Sequence, residues 1–338
     1  MTRSSILVIH PGALGDVLQT VPALIALRGG NRLTFACQMG VGRLFAGTGL
    51  VAEALSFDGL GLETLFARDS VLTEVRSRLG RFDRVVSWFG ARDALFAERL
   101  ASIIPEVLLA PPVPEKGPPP TVWEHLLATL GPWGVTVPDR LPPLNLPEAW
   151  RAEARRELSQ LGWQEGRPLL FVHPGAGGRD KRWAPENFAR VIRHVAGETG
   201  CQVLVHRGPA DRDAVDQLVR LLDLAVLLLV EPELQRLAAV LGAAGVYLGG
   251  DSGVSHLAAT VGAPAVILFP PATRERWAPW SPTALPLAMR ENSDEVETVE
   301  RAVVERLSYT ARYCRMTSSF SHNCSSAPAK RIVPFSMM

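Results

Sequence analysis

Three short segments carry side chains whose types and spacing suit an anionic ligand. The first is His10-Pro11-Gly12-Ala13-Leu14-Gly15-Asp16. Its glycines permit close backbone approach, and a helix beginning there offers unpaired N–H groups to an anion. Asp16 would fall in that helix's first turn, as part of a site or simply as a carboxylate complementing the helix dipole. The second is His173-Pro174-Gly175-Ala176-Gly177-Gly178-Arg179-Asp180-Lys181-Arg182-Trp183. A glycine-rich loop with three cations close together suits a diphosphate, although a solvated surface loop has the same composition. The third is Gly249-Gly250-Asp251-Ser252-Gly253-Val254-Ser255-His256. Ser252, Gly253 and the next amides would line a helix start, again an anion site. Asp251 would repel a phosphate it faced, so its expected work is to accept backbone N–H bonds and hold the turn. His256, one turn into the helix, either faces a ligand or is buried.

A further carboxylate stands in His206-Arg207-Gly208-Pro209-Ala210-Asp211-Arg212-Asp213, where it would bind ribose hydroxyls or, as Asp211, cap a helix. Other chemistries find no support. The first turn lacks the third glycine of a dinucleotide fingerprint, and no GK[ST] follows the second loop. No His, Cys or Asp cluster has metal-site spacing, and no Ser–His–Asp set emerges from chain order.

These turns need strands before them and helices after them, and the patterning supplies both. Residues 6–9, 33–37, 54–57, 85–88 and 107–109 read as strands, with helical patterns at 62–79 and 92–102 between some of them. Pro22 interrupts the first helical pattern, which predicts a kink or restart. Strand–helix alternation implies a mainly parallel sheet covered on both faces. Proline-rich stretches at 110–120 and 138–147 flank a helix at 122–130 and place a domain boundary near residue 145. The rhythm then resumes. Strands are expected at 169–172, 202–205, 224–230, 246–248 and 265–269, and helices from Pro185 to Gly200 and at 211–222, 232–241, 254–261 and 295–307. The α/β reading is two Rossmann-like domains, 1–145 and 146–310, with 311–338 as a loose, Ser-rich tail.

The 338 residues, 47% of them hydrophobic and 20% charged, describe a globular chain. Thirty-five basic residues against 34 acidic give no basic face for nucleic acid. Cys37, Cys201, Cys314 and Cys324 form no CxxC pair, and with no leader at the start they are expected as reduced thiols in a cytoplasmic protein. The most apolar stretch, 221–230, is too short to span a bilayer. Peripheral contact with an inner membrane stays compatible with that.

Together, Leu14-Gly15-Asp16-Val17-Leu18-Gln19-Thr20-Val21-Pro22, His173-Pro174-Gly175 with Lys181-Arg182-Trp183, and Gly250-Asp251-Ser252-Gly253-Val254-Ser255-His256 closely resemble the ADP-heptose:lipopolysaccharide heptosyltransferase family, glycosyltransferase family 9. The resemblance covers roughly residues 5 to 307. It implies the GT-B architecture, with a nucleotide-sugar donor held by the second domain and a lipopolysaccharide-core or other glycan acceptor by the first. It implies that Asp16 is the general base of an inverting, metal-independent transfer that uses no cofactor beyond the donor. Lys181 and the turn Asp251, Ser252 and Gly253 would hold the diphosphate, with Gly15, Gly175 and His256 beside it and Asp213 facing the nucleoside. Two positions depart from the family pattern. His10 stands where a fixed cation is frequent, and Gly177 where some members place a hydroxyl. A relative using another nucleotide sugar or acceptor, or one that binds without transfer, fits the same motifs.

Overall fold

A computed structural model of the chain describes residues 4–114, 121–136, 138–178, 181–289 and 293–320, with side chains to residue 308. The first half holds five strands: β1 (Ser5–Ile9), β2 (Arg32–Cys37), β3 (Glu53–Ser56), β4 (Arg84–Ser87) and β5 (Glu106–Leu109). They form one parallel sheet in the order β3-β2-β1-β4-β5. Its helices are α1 (Leu14–Leu18), α2 (Val21–Leu27), α3 (Met39–Gly47), α4 (Thr73–Leu79), α5 (Ala94–Ala101) and α6 (Val122–Ala128). Six strands build the second sheet: β6 (Leu169–His173), β7 (Gln202–Arg207), β8 (Leu227–Val230), β9 (Val246–Gly250), β10 (Ala265–Phe269) and β11 (Ala284–Ala288). They too are parallel, in the order β11-β10-β9-β6-β7-β8. Around them lie α7 (Glu148–Gln160), α8 (Pro185–Thr199), α9 (Arg212–Leu221), α10 (Leu234–Ala243), α11 (Gly253–Thr260), α12 (Pro271–Trp277) and α13 (Ser293–Phe320).

Strands this apolar must be buried on both faces. In β1, Ile6 and Val8 enter one core while Leu7 and Ile9 enter another; in β6, Leu169 and Phe171 alternate with Leu170 and Val172 in the same way. One of these cores is shared by both halves, joining Val17 and Leu24 to Tyr247 and Leu257. Strand order then decides where ligands go. In open parallel sheets they bind beyond the carboxyl ends of the strands, where the direction of winding reverses. Here the reversals fall between β1 and β4 and between β6 and β9. His10–Asp16 follows β1, the Gly175 loop follows β6 and the Gly250–Gly253 turn closes β9, so all three chemical segments stand at a reversal.

Some local expectations change. The restart at Pro22 is present: α1 stops at Leu18, Thr20 donates its hydroxyl to the Val17 carbonyl at 2.7 Å, and α2 begins with Pro22 in its first turn. The single helix expected over 62–79 is a short 3₁₀ turn (Leu62–Phe66) followed by α4, with another 3₁₀ turn (Asp58–Leu60) just before it. Gly61 at φ +75° separates the turns, and the Ser70 hydroxyl and the Arg99 guanidinium take the Thr64 carbonyl that a continuing helix would use. The elements α3, α7, α12 and β11 appear without having been read from the pattern. The terminal helix continues to Phe320, so the segment expected to be loose from residue 311 is helical to 320, and 321–338 lie outside the described residues. Residues 118–120 and Arg179, the first cation of the second loop, also lie outside them. Among the described residues no helix is long and apolar enough to cross a membrane. Cys37 and Cys201 are free and buried, and burial pushes the Cys37 thiol up to about 12.

Candidate active site

The first turn is built on a histidine. The Gly12 N–H donates to His10 Nδ1 at 3.1 Å, and a Cβ on Gly12 would sit 2.6 Å from His10 Cε1, so only glycine lets the ring fold over the turn. Burial pushes His10 down to about 4, which leaves it neutral where a fixed cation was expected from the family pattern. Asp16, in the first turn of α1, lines a cleft of about 700 Å³ together with His10, Trp88, Phe89 and Arg92. Burial raises its carboxyl above the ordinary range. A hydrogen bond from the Ala13 backbone and the charges of His256 and Lys181 act against that rise, and Asp251 adds to it. Asp16 thus feels charges carried by the second half of the chain.

Those groups form a chain. Lys181 Nζ donates to Asp251 Oδ2 at 2.9 Å, and His256 Nε2 lies 3.8 Å from Asp251 Oδ1. Gln19 Nε2 approaches His256 Nδ1 at 3.4 Å and donates to the Trp277 carbonyl at 3.3 Å. Asp251 thus pairs with the side chains of Lys181 and His256, where backbone N–H bonds were expected. Burial works against its charge, but His256 and Lys181 outweigh burial and hold the carboxyl below the usual range. His256 is both buried and part of the site, so the two readings of it were not exclusive.

The turn beneath is held by hydroxyls. Ser252 caps α11 by accepting from the Ser255 N–H at 3.3 Å, and Tyr247 O–H meets Ser255 Oγ at 2.7 Å. Because Ser255 Oγ donates to the Gly250 carbonyl, Tyr247 is the donor to Ser255. The glycines set the spacing. A Cβ on Gly15 would meet His256 Cδ2 at 3.0 Å, and one on Gly253 would meet Leu14 Cβ at 3.0 Å, so the starts of α1 and α11 touch across the cleft.

Asp213 is exposed in the first turn of α9, away from the buried turn. The carboxylate brought inward is Asp211: it accepts from the Gly208 N–H at 3.2 Å and packs where a Cβ on Gly175 would lie, 2.0 Å from its Oδ1. It makes no side-chain cap to α9, which removes the capping alternative. Gly177 is exposed with open space around it. The sequence reading missed three features: Gln19, the aromatic wall of Phe66, Trp88 and Phe89, and a buried pair in which His206 Nδ1 meets His173 Nδ1 at 3.1 Å. The Trp88-Phe89-Gly90 step directly after β4 was the one signal for the wall.

Burial pushes His173 down to about 4; burial and then the charge of His173 push His206 to about 3. With His10 they are three histidines neutral in the fold but protonated below about pH 6.5 in the unfolded chain. The unfolded state then binds more protons, so stability falls as pH drops from about 6.5 toward 4, by about 1 kcal/mol per histidine per pH unit. Melting temperature should fall steeply between pH 7 and pH 5, and His206→Gln should flatten the slope. A melting temperature unchanged across that window would refute the neutral assignment.

Residues 111–304 match glycosyltransferase family 9 (heptosyltransferase). The chain belongs to glycosyltransferase family 9. Lipopolysaccharide heptosyltransferase 3 of Escherichia coli K12 is 28% identical over 162 residues, 47% of this chain and 46% of that protein. The matched stretch therefore spans about half of that relative's length. Among solved structures, a family 9 glycosyltransferase from Veillonella parvula superposes with a TM-score of 0.73 at 18% identity, covering 92% of this chain and 97% of its own. The E. coli ADP-heptose lipopolysaccharide heptosyltransferase II superposes at 0.68 and 19%, covering 92% and 99%. These likenesses establish the GT-B fold for this family 9 chain.

Proposed function

We propose that this family 9 chain is an inverting heptosyltransferase, moving heptose from ADP-heptose to a hydroxyl of a lipopolysaccharide-core acceptor. What supports this is the contact between α1 and α11, which brings Asp16 under the charges of the Lys181–Asp251–His256 chain. In this reading the acceptor lies in the cleft beside His10 and Trp88, and the donor diphosphate on the Lys181 side. Asp16, its carboxyl raised by burial, takes the acceptor proton as the hydroxyl oxygen attacks the anomeric carbon. That bond forms as the bond to the diphosphate oxygen breaks on the opposite face, so no covalent sugar intermediate is needed. Lys181 exchanges Asp251 for the departing diphosphate, and the first amides of α11 receive its remaining charge. Asp251 stays paired with His256 and keeps that ring oriented. The reaction so written asks for no group beyond donor and acceptor. A lipid-linked acceptor would bring the chain to the cytoplasmic face of the inner membrane as a peripheral protein.

The nucleotide decides the donor. In calorimetry with ADP, UDP and GDP, ADP should bind at least about tenfold more tightly, a difference of about 1.4 kcal/mol. Preferential binding of UDP or GDP would end the ADP-heptose reading.

A further inference from the structure

We propose that the cleft beside Asp16 takes a neutral glycan residue, its apolar face stacked on Phe66 and Phe89, rather than a sugar carrying a carboxylate or phosphate. This names the acceptor class for the transfer proposed above and rests on that reading.

The cleft's charges come first. Among its described lining residues the ionisable side chains, besides His10, are Asp16, Asp93 and Arg92. An anionic sugar is ordinarily met by paired guanidinium or ammonium groups. Here it would approach two carboxylates and one guanidinium. His10, at the floor, adds no charge. Its Nδ1 accepts from Gly12, so the ring proton sits on Nε2, which is buried and meets no partner among the described residues. That is a neutral donor, suited to a sugar hydroxyl.

The wall is aromatic and rigid. Trp88, almost wholly buried, spends its N–H on Thr129 Oγ1 at 3.2 Å and so backs the wall without adding a polar group to it. Phe66 and Phe89 meet edge to face at 5.6 Å and 80°, braced by Phe96 at 4.8 Å from Phe66 and by Phe57 at 4.9 Å from Phe89. Gly90, at φ +73°, makes room for this: a Cβ there would lie 2.4 Å from Phe96 Cδ1. Phe66 stays 37% exposed although it sits in a packed cluster, and it lines the cleft, so part of the residue is open to a ligand there. Its loop is clamped by Arg99, which donates to the Thr64 carbonyl at 3.1 Å, to Ser70 Oγ at 2.9 Å and to the Arg68 carbonyl. A pyranose presents a face of C–H groups, and stacking that face on such a wall removes apolar area from water while the hydroxyl edge stays free for Asp16 and His10.

Saturation-transfer NMR on the full chain tests this with two probes, a methyl heptoside and the methyl glycoside of the acidic sugar Kdo. The heptoside should receive saturation from aromatic protons at least about fivefold more strongly than the Kdo glycoside. Phe66→Ala should abolish the heptoside signal, and Phe66→Tyr should keep it. Equal signals, a stronger Kdo signal, no signal from either probe, or a folded Phe66→Ala that binds normally would each overturn the proposal. The two-probe comparison on the unsubstituted chain decides it even if Phe66→Ala fails to fold. Heptoside binding without any transfer from ADP-heptose would instead defeat the transferase reading and leave the binding assignment intact.

Discussion

Asp16→Asn will lower kcat by about two to four orders of magnitude, the range expected for loss of a general base, while ADP binding stays intact. Asparagine keeps the volume and one hydrogen-bonding oxygen of aspartate, so α1 and its contact with α11 should be undisturbed. What it loses is basicity. The Asp16 charge also lies within electrostatic reach of Lys181 and Asp251, so the neutral variant should hold the anionic ADP at least as well as the parent. The parent's pH profile carries a second signature. Only ionised Asp16 accepts a proton, so kcat/KM falls as pH drops through its pKa in the folded protein. Because burial raises that pKa, the acid limb should lie above the ordinary carboxylate value of about 3.9. Turnover within threefold of the parent, or an acid limb at the ordinary value, would remove Asp16 from the role of base.

Lys181→Ala should damage both binding and transfer, and that separates it from Asp16→Asn. Losing a positioned cation at a leaving group costs about 10²–10³ in rate, as loss of one oxyanion-hole donor does. ADP affinity should fall with it, by about tenfold or more. The substitution also leaves Asp251 with His256 as its partner in the chain, so a carboxylate that had been neutralised by Lys181 now faces the incoming diphosphate. The side chain is a third exposed and its backbone lies in a turn, so the fold should survive, which a melting curve would check. If Lys181→Ala binds ADP as the parent does, the diphosphate belongs elsewhere in the cleft.

Much of this architecture is legible in the sequence because parallel strands buried on both faces are unbroken apolar runs, as residues 6–9 and 169–172 show. The turns that follow are legible for a related reason: glycine is required where two backbones or a backbone and a ring nearly touch. Non-local organisation is harder to read. The aromatic wall draws Phe57, Phe66, Phe89 and Phe96 from four separate stretches, and no periodicity links them. Residues 62–79 look helical by pattern, but Arg99, from a later helix, takes the carbonyl the helix needed. The choice between Asp211 and Asp213 depends on two positions at a helix start, where a step of two residues turns a side chain from the core to solvent. Spacing alone cannot tell which way that step points.

The contact between the two glycine-led helix starts has an evolutionary consequence. Gly15 lies against His256, and Gly253 against Leu14, so closely that a methyl group at either place would push its neighbour by a few tenths of an ångström. A larger residue at either glycine is therefore best accepted with a compensating shift in its partner from the other half. Like the core the two halves share, these positions are expected to change together rather than singly. Exchanging one half between relatives should therefore succeed best when this small pairing is exchanged with it.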